Sequence, residues 1–153
     1  IHKDLVSFAE KIKNMGFLVK LDTNGTNYLA LSELTKNNFL DYVAVDIKGD
    51  FRYYKQLGIN KQKYENIIKS VELVKNSKVS HEFRTTLLRE NVHAFNFEEI
   101  GELIEGASLY ALQKFKRSKH LDSSYVHKQP PTDSELTSVQ KIISPYVKKC
   151  IVR

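Results

Sequence analysis

Apolar residues recur along this chain in two rhythms. From Lys3 to Met15, Leu5, Val6, Phe8, Ala9 and Ile12 fall at helical spacing and Gly16 ends the run, which predicts a helix closed by a glycine. Phe17 to Leu21 follows as a buried strand, ended by Asp22-Thr23-Asn24-Gly25. The same alternation continues: a helix over Tyr28 to Asn37 entered through Thr26-Asn27, then a strand over Tyr42 to Val45 ending in Asp46-Ile47-Lys48-Gly49. Asp50 to Gly58, rich in charge and tyrosine, reads as a loop or broken helix. Tyr64 to Lys75 is an amphipathic helix, Val79 to Leu88 a strand, Phe97 to Ile104 a helix and Leu109 to Phe115 a strand. A polar stretch from Lys116 to Thr132 with Pro130-Pro131 leads to a helix over Leu136 to Val147, capped by Asp133 or Ser134. Cys150-Ile151-Val152 closes the chain as an edge strand.

Helices alternate with short, continuous apolar strands. Strands covered on both faces read this way, so the pattern predicts an α/β fold, a mainly parallel sheet with helices packed around it. At 153 residues and 41% hydrophobic, one domain spanning 1–153 with a single core is expected. No apolar run approaches the roughly 20 residues of a membrane span, so a soluble, cytoplasmic protein with no membrane partner is expected. Net charge is +6, yet the lysines are scattered through helical segments, which favours a solvated exterior over a nucleic-acid surface. Cys150 is the one cysteine, so the chain cannot build a disulfide or a cysteine-ligated metal site by itself. His2, His81, His93, His120 and His127 show no metal-ligand spacing. The chain opens on Ile1 with its one methionine at Met15, and a fragment or processed chain is expected.

In a parallel α/β sheet, ligands bind beyond the carboxyl ends of the strands. Those ends carry Asp22 and Asn24, then Asp46 and Lys48, then Arg84, then Gln113. Carboxylates and amides accept from an ammonium, while Lys and Arg take a carboxylate, so a rim with both signs suits a zwitterionic ligand. The two aspartates could instead share a cation, since hard cations take oxygen ligands. Turn formation, helix capping and surface ion pairing are the simpler readings of each residue taken singly.

These same segments carry a family resemblance. Leu21-Asp22-Thr23-Asn24-Gly25, Asp46-Ile47-Lys48, Phe83-Arg84-Thr85-Thr86 and Leu112-Gln113-Lys114-Phe115 resemble successive strand ends of the radical S-adenosylmethionine (radical SAM) activating enzymes that install glycyl radicals. The resemblance runs over nearly the whole chain. The third and fourth elements look most like the activating protein of anaerobic ribonucleoside-triphosphate reductase, and activators of pyruvate formate-lyase share the first two.

The resemblance implies a partial (β/α) TIM-like barrel with S-adenosylmethionine and a 4Fe–4S cluster at the carboxyl rim. It further implies a glycyl-radical enzyme as partner and an electron donor such as flavodoxin or ferredoxin. By the same analogy Asp22, Asn24, Asp46, Lys48, Arg84 and Gln113 contact S-adenosylmethionine, and Asp22, Thr23 and Asp46 hold a monovalent cation. The family's three-cysteine cluster motif and its Gly-Gly-Glu-Pro segment are absent from these 153 residues. Ile1-His2-Lys3-Asp4-Leu5 resembles the stretch that follows that segment, so this chain is expected to lack cluster ligands and to be inactive alone. Another radical SAM enzyme, or a non-catalytic α/β module that binds an acidic partner, are the alternatives.

Overall fold

A computed structural model describes residues 4–117 and 122–153. His2, His120 and the first three residues of the amino-terminal resemblance lie outside them. Five strands form one sheet in sequence order, every neighbouring pair parallel. They are β1 (Lys20–Thr23), β2 (Tyr42–Asp46), β3 (Ser80–Leu87), β4 (Tyr110–Lys114) and β5 (Cys150–Val152). The helices are α1 (Leu5–Asn14), α2 (Tyr28–Lys36), α3 (Phe51–Gln56), α4 (Lys61–Asn76), α5 (Arg89–Ala94), α6 (Phe97–Leu103) and α7 (Asp133–Ile143). Consecutive parallel strands joined through helices are the architecture expected of a partial (β/α) barrel.

The turns after the strands are built by short polar side chains. Asn27, Asp50, Asn60 and Asn96 each accept a backbone N–H three residues on, and so start α2, α3, α4 and α6. α7 starts one residue before the two expected caps: Thr132 accepts from Glu135 N, and Glu135 returns a carboxylate to Thr132 N at 2.6 Å. Asp50 makes an ordered helix of the segment read as a loop or broken helix. α5, with the apolar Val92 and Ala94 among polar neighbours, was not expected at all.

Side chains alternate along a strand, and parallel register partners share a face. The register therefore sorts the sheet into two surfaces. Leu21, Val43, Val45, Phe83, Leu87, Tyr110 and Leu112 stand on one. That face joins Leu31, Leu34, Ile67, Val71, Ile100, Leu136 and Ile143 of the helices in one continuous core. On the opposite face stand Asp22, Asp46, Glu82, Arg84 and Gln113, with Ala44 and Ala111 between them. The apolar runs of β2 and β4 thus hide an alternation: the alanine in each belongs to the polar side. The helices pack on the apolar face rather than on both, which corrects the expectation drawn from the continuous apolar runs. The strand start is corrected as well, since Phe17 and Leu18 precede β1 and are 59% and 81% exposed.

Candidate functional site on the polar face of the sheet

Arg84 organises the polar face. It sits on β3 opposite Asp46 at the end of β2, while Asp22 on β1 pairs with Ala44 one step lower. Ala44 is small enough for the guanidinium to pass over β2 and reach both acids. Arg84 Nη1 lies 3.0 Å from Asp22 Oδ1, and Arg84 Nε donates to Asp46 Oδ1. Lys48 Nζ donates to the other Asp46 oxygen at 3.0 Å, and Lys20 stands 3.7 Å from Asp22. Four of the residues expected at the site therefore meet in one network.

Exposure grades across this network. Arg84 is largely buried, Asp46 half-buried, and Asp22 and Lys48 open to solvent. Burial alone would push the Asp46 carboxyl up, but the hydrogen bonds from Arg84 and Lys48 prevail and hold it below the usual carboxylate range. Burial pulls on the Arg84 guanidinium in the opposite sense and is likewise outweighed by Asp46, so its pKa is raised. Both partners stay charged, and the face offers fixed charges of both signs.

The remaining expected residues fall outside this knot. Asn24 Oδ1 closes the turn by accepting from Thr26 N at 3.1 Å and Thr26 Oγ1 at 2.8 Å. Gln113 accepts from Thr86 Oγ1 at 3.3 Å, three strands from Asp22 on the same face. Thr23 stands on the apolar side by alternation, and its hydroxyl accepts from Gly25 N at 3.1 Å. It does not share a face with Asp22 and Asp46, and those two acids are already drawn to one guanidinium. Among the described residues no group of three or more His, Cys, Asp or Glu is placed to hold a metal.

Beside the network, above the carboxyl ends of β1 to β4, opens a cleft of about 400 Å³. Lys48, Asn24, Thr86 and Asn91 supply its polar wall, and Tyr53, Tyr54, Leu57, Phe115 and Tyr125 its apolar one. Tyr53 and Tyr54 line the cleft, whereas Tyr64 packs at a tilt against Phe51 and Tyr54 with ring centres 4.7 and 5.3 Å away.

Two polar-face residues were missed by the sequence reading. Glu82 is buried, and Arg153 reaches it from the end of β5 with Nη2 at 2.8 Å from Oε2. Glu82 lies two residues before Arg84, so the period of two was the available signal; its pairing with a residue 71 positions later had none. Cys150 is half-buried on β5, and burial pushes its thiol up to about 11. It is a small packed side chain, not a thiolate ligand.

No protein-family model matches the chain. A Methanocaldococcus jannaschii protein, assigned by its name to the glycyl-radical enzyme activating enzymes, is 32% identical over 158 residues. The alignment takes in 100% of this chain and 66% of that relative, so the chain spans about two thirds of the relative's length. A crystal structure of a domain of pyruvate-formate lyase-activating enzyme from Bacteroides vulgatus superposes with a TM-score of 0.69 at 14% identity, covering 97% of this chain and 89% of that one. Kinship in sequence over the whole chain and likeness in fold together place it in the family of radical SAM glycyl-radical activating enzymes.

Proposed function

We propose that this chain supplies the S-adenosylmethionine-binding face of an activase whose target is an anaerobic ribonucleotide reductase. The observation that carries the reading is the meeting of Asp22, Asp46, Lys48 and Arg84 on one polar surface beside an aromatic cleft. The donor set fits the ligand. Asp22, Asp46 and the Asn24 amide oxygen suit its ammonium and sulfonium, Lys48 and Arg84 suit its carboxylate, and Gln113 adds a polar contact. When bound and reduced by one electron, S-adenosylmethionine supplies a 5′-deoxyadenosyl radical that abstracts hydrogen from a glycine of the partner.

A monovalent cation at Asp22, Thr23 and Asp46 belongs to the same proposal. The side chain of Thr23 faces the other side of the sheet, so such a cation rests mainly on the two carboxylates, in competition with Arg84. The 4Fe–4S cluster does not fit the residues present, since one half-buried thiol cannot hold it. Its ligands then come from sequence outside these 153 residues, and the chain by itself is inactive. The choice of an anaerobic ribonucleotide reductase rests on the Phe83-Arg84-Thr85-Thr86 and Leu112-Gln113-Lys114-Phe115 elements. A flavodoxin or ferredoxin as reductant, and a cytoplasmic location, complete the proposal; no helix among the described residues is long and apolar enough to cross a membrane.

The test uses the complete gene product, reconstituted anaerobically with iron and sulfide. With S-adenosylmethionine, reductant and an anaerobic ribonucleotide reductase it is expected to give the glycyl-radical doublet in electron paramagnetic resonance. A doublet only with pyruvate formate-lyase would reassign the partner. No 5′-deoxyadenosine with either would overturn the reading.

A further inference from the structure

The loop that carries Lys48 is tied down at several polar groups, and one of its ties comes from a core side chain. Ile47 N donates to Arg84 O at 2.8 Å and Ile47 O accepts from Thr85 Oγ1 at 2.8 Å. Asp50, buried, accepts from Tyr53 N and Asn96 N at 2.9 and 2.8 Å. Phe51 N donates to Glu99 Oε1 at 2.8 Å. Between these anchors, the Lys48 main-chain N–H donates to a side chain, the Tyr54 hydroxyl, at 3.0 Å.

Tyr54 comes from α3, six residues further on, and is 2% exposed. Its ring belongs to the core while its oxygen holds the backbone of a residue that lines the cleft and pairs with Asp46. Burial pushes the phenol up to about 12, so it stays a neutral hydroxyl at any working pH. Tyr53 and Phe95 close in on the residue after Lys48: a Cβ at Gly49 would lie 2.9 Å from Tyr53 and 3.0 Å from Phe95.

We propose that Tyr54 is a positioning residue for the ligand site: by accepting the Lys48 N–H it fixes the loop so that the Lys48 ammonium stands between Asp46 and the cleft. The inference rests on the reading of that site as the S-adenosylmethionine face. A phenylalanine fills the same space in the core and lacks the oxygen, so Tyr54→Phe isolates this one contact. It leaves a part-buried N–H without its protein partner and frees the loop.

The experiment measures S-adenosylmethionine affinity by equilibrium binding to the complete gene product and to its Tyr54→Phe, Lys48→Met and doubly substituted forms. Hydrogen exchange of the Lys48 amide is followed in the same proteins without ligand. Tyr54→Phe is expected to weaken binding about five- to tenfold, the size of one hydrogen bond. It is expected to speed exchange at Lys48 about tenfold or more while Val71 and Phe83 keep their protection. On the Lys48→Met background, Tyr54→Phe is expected to cost no further affinity, because it acts through Lys48. Unchanged binding and exchange in Tyr54→Phe would overturn the inference and leave the site reading intact, as would a loss of equal size on the Lys48→Met background. A wild-type protein that does not bind S-adenosylmethionine would overturn the site reading, and this inference with it.

Discussion

The two faces of the sheet share one backbone and differ in almost everything else. On one, Val43, Val45, Phe83, Tyr110 and Leu112 are fully covered by helices and supply the packing that holds the fold. On the other, small Ala44 and Ala111 form a floor beneath charged chains that remain partly wet. Such charges add little net stability at a surface and are costly when buried unpaired. A sheet that keeps them in register across three strands gives up an apolar layer. The contrast is a division of labour: one face folds the chain, and the other carries the charged side chains proposed as the ligand site.

Substitutions should separate the faces by size of effect. Phe83→Ala, deep in the apolar face, is expected to cost about 3–5 kcal/mol of unfolding free energy in urea titration. Asp50→Ala comes next at about 2 kcal/mol, because it removes the α3 cap and strands the Asn96 N–H. Asp46 and Asp50 both have folded pKa values below the ordinary 3.8. Their contributions are therefore present above the unfolded pKa and lost as pH falls through the folded one. Thermal melts between about pH 5 and pH 2 should show stability dropping with acid, less steeply in Asp50→Ala than in wild type.

Arg84→Met should lower stability by only about 1 kcal/mol, discounted because Asp22 is more than half exposed, yet weaken ligand binding more than tenfold. Equal losses in both readouts would erase the contrast between the faces. The smallest effect belongs to Lys20→Ala, whose 3.7 Å pair with Asp22 is open to water, at below about 0.5 kcal/mol in the same urea titrations.

Much of this arrangement was legible before any coordinates. Asp46 closes β2, and topology alone sends such a residue to the carboxyl rim; Arg84, expected at a strand end, stands mid-strand on β3 and meets Asp46 through the register of the two strands. The helix–strand alternation came through because the longer helices carry an apolar stripe; α5, six residues with Val92 as its one apolar contact with the core, has none. The polar face was harder to see because alanine reads as apolar in a four-residue run: Tyr42-Val43-Ala44-Val45 looks continuous until register assigns Ala44 to Arg84's side. Thr23 was grouped with Asp22 and Asp46 through the family resemblance, although neighbours in a strand point opposite ways. The Glu82–Arg153 pair and the Tyr54 hold on Lys48 depend on tertiary placement and leave no local pattern.

Whether the charged surface is where the ligand goes can be watched residue by residue. Anaerobic titration of S-adenosylmethionine into the isotope-labelled complete gene product, followed by nuclear magnetic resonance, should move the Arg84 Nε–H and the amides of Asp22, Asp46 and Lys48 first and furthest. Shifts confined to the outer helices α2, α4 and α7, with the Arg84 signal unmoved at saturation, would contradict the account.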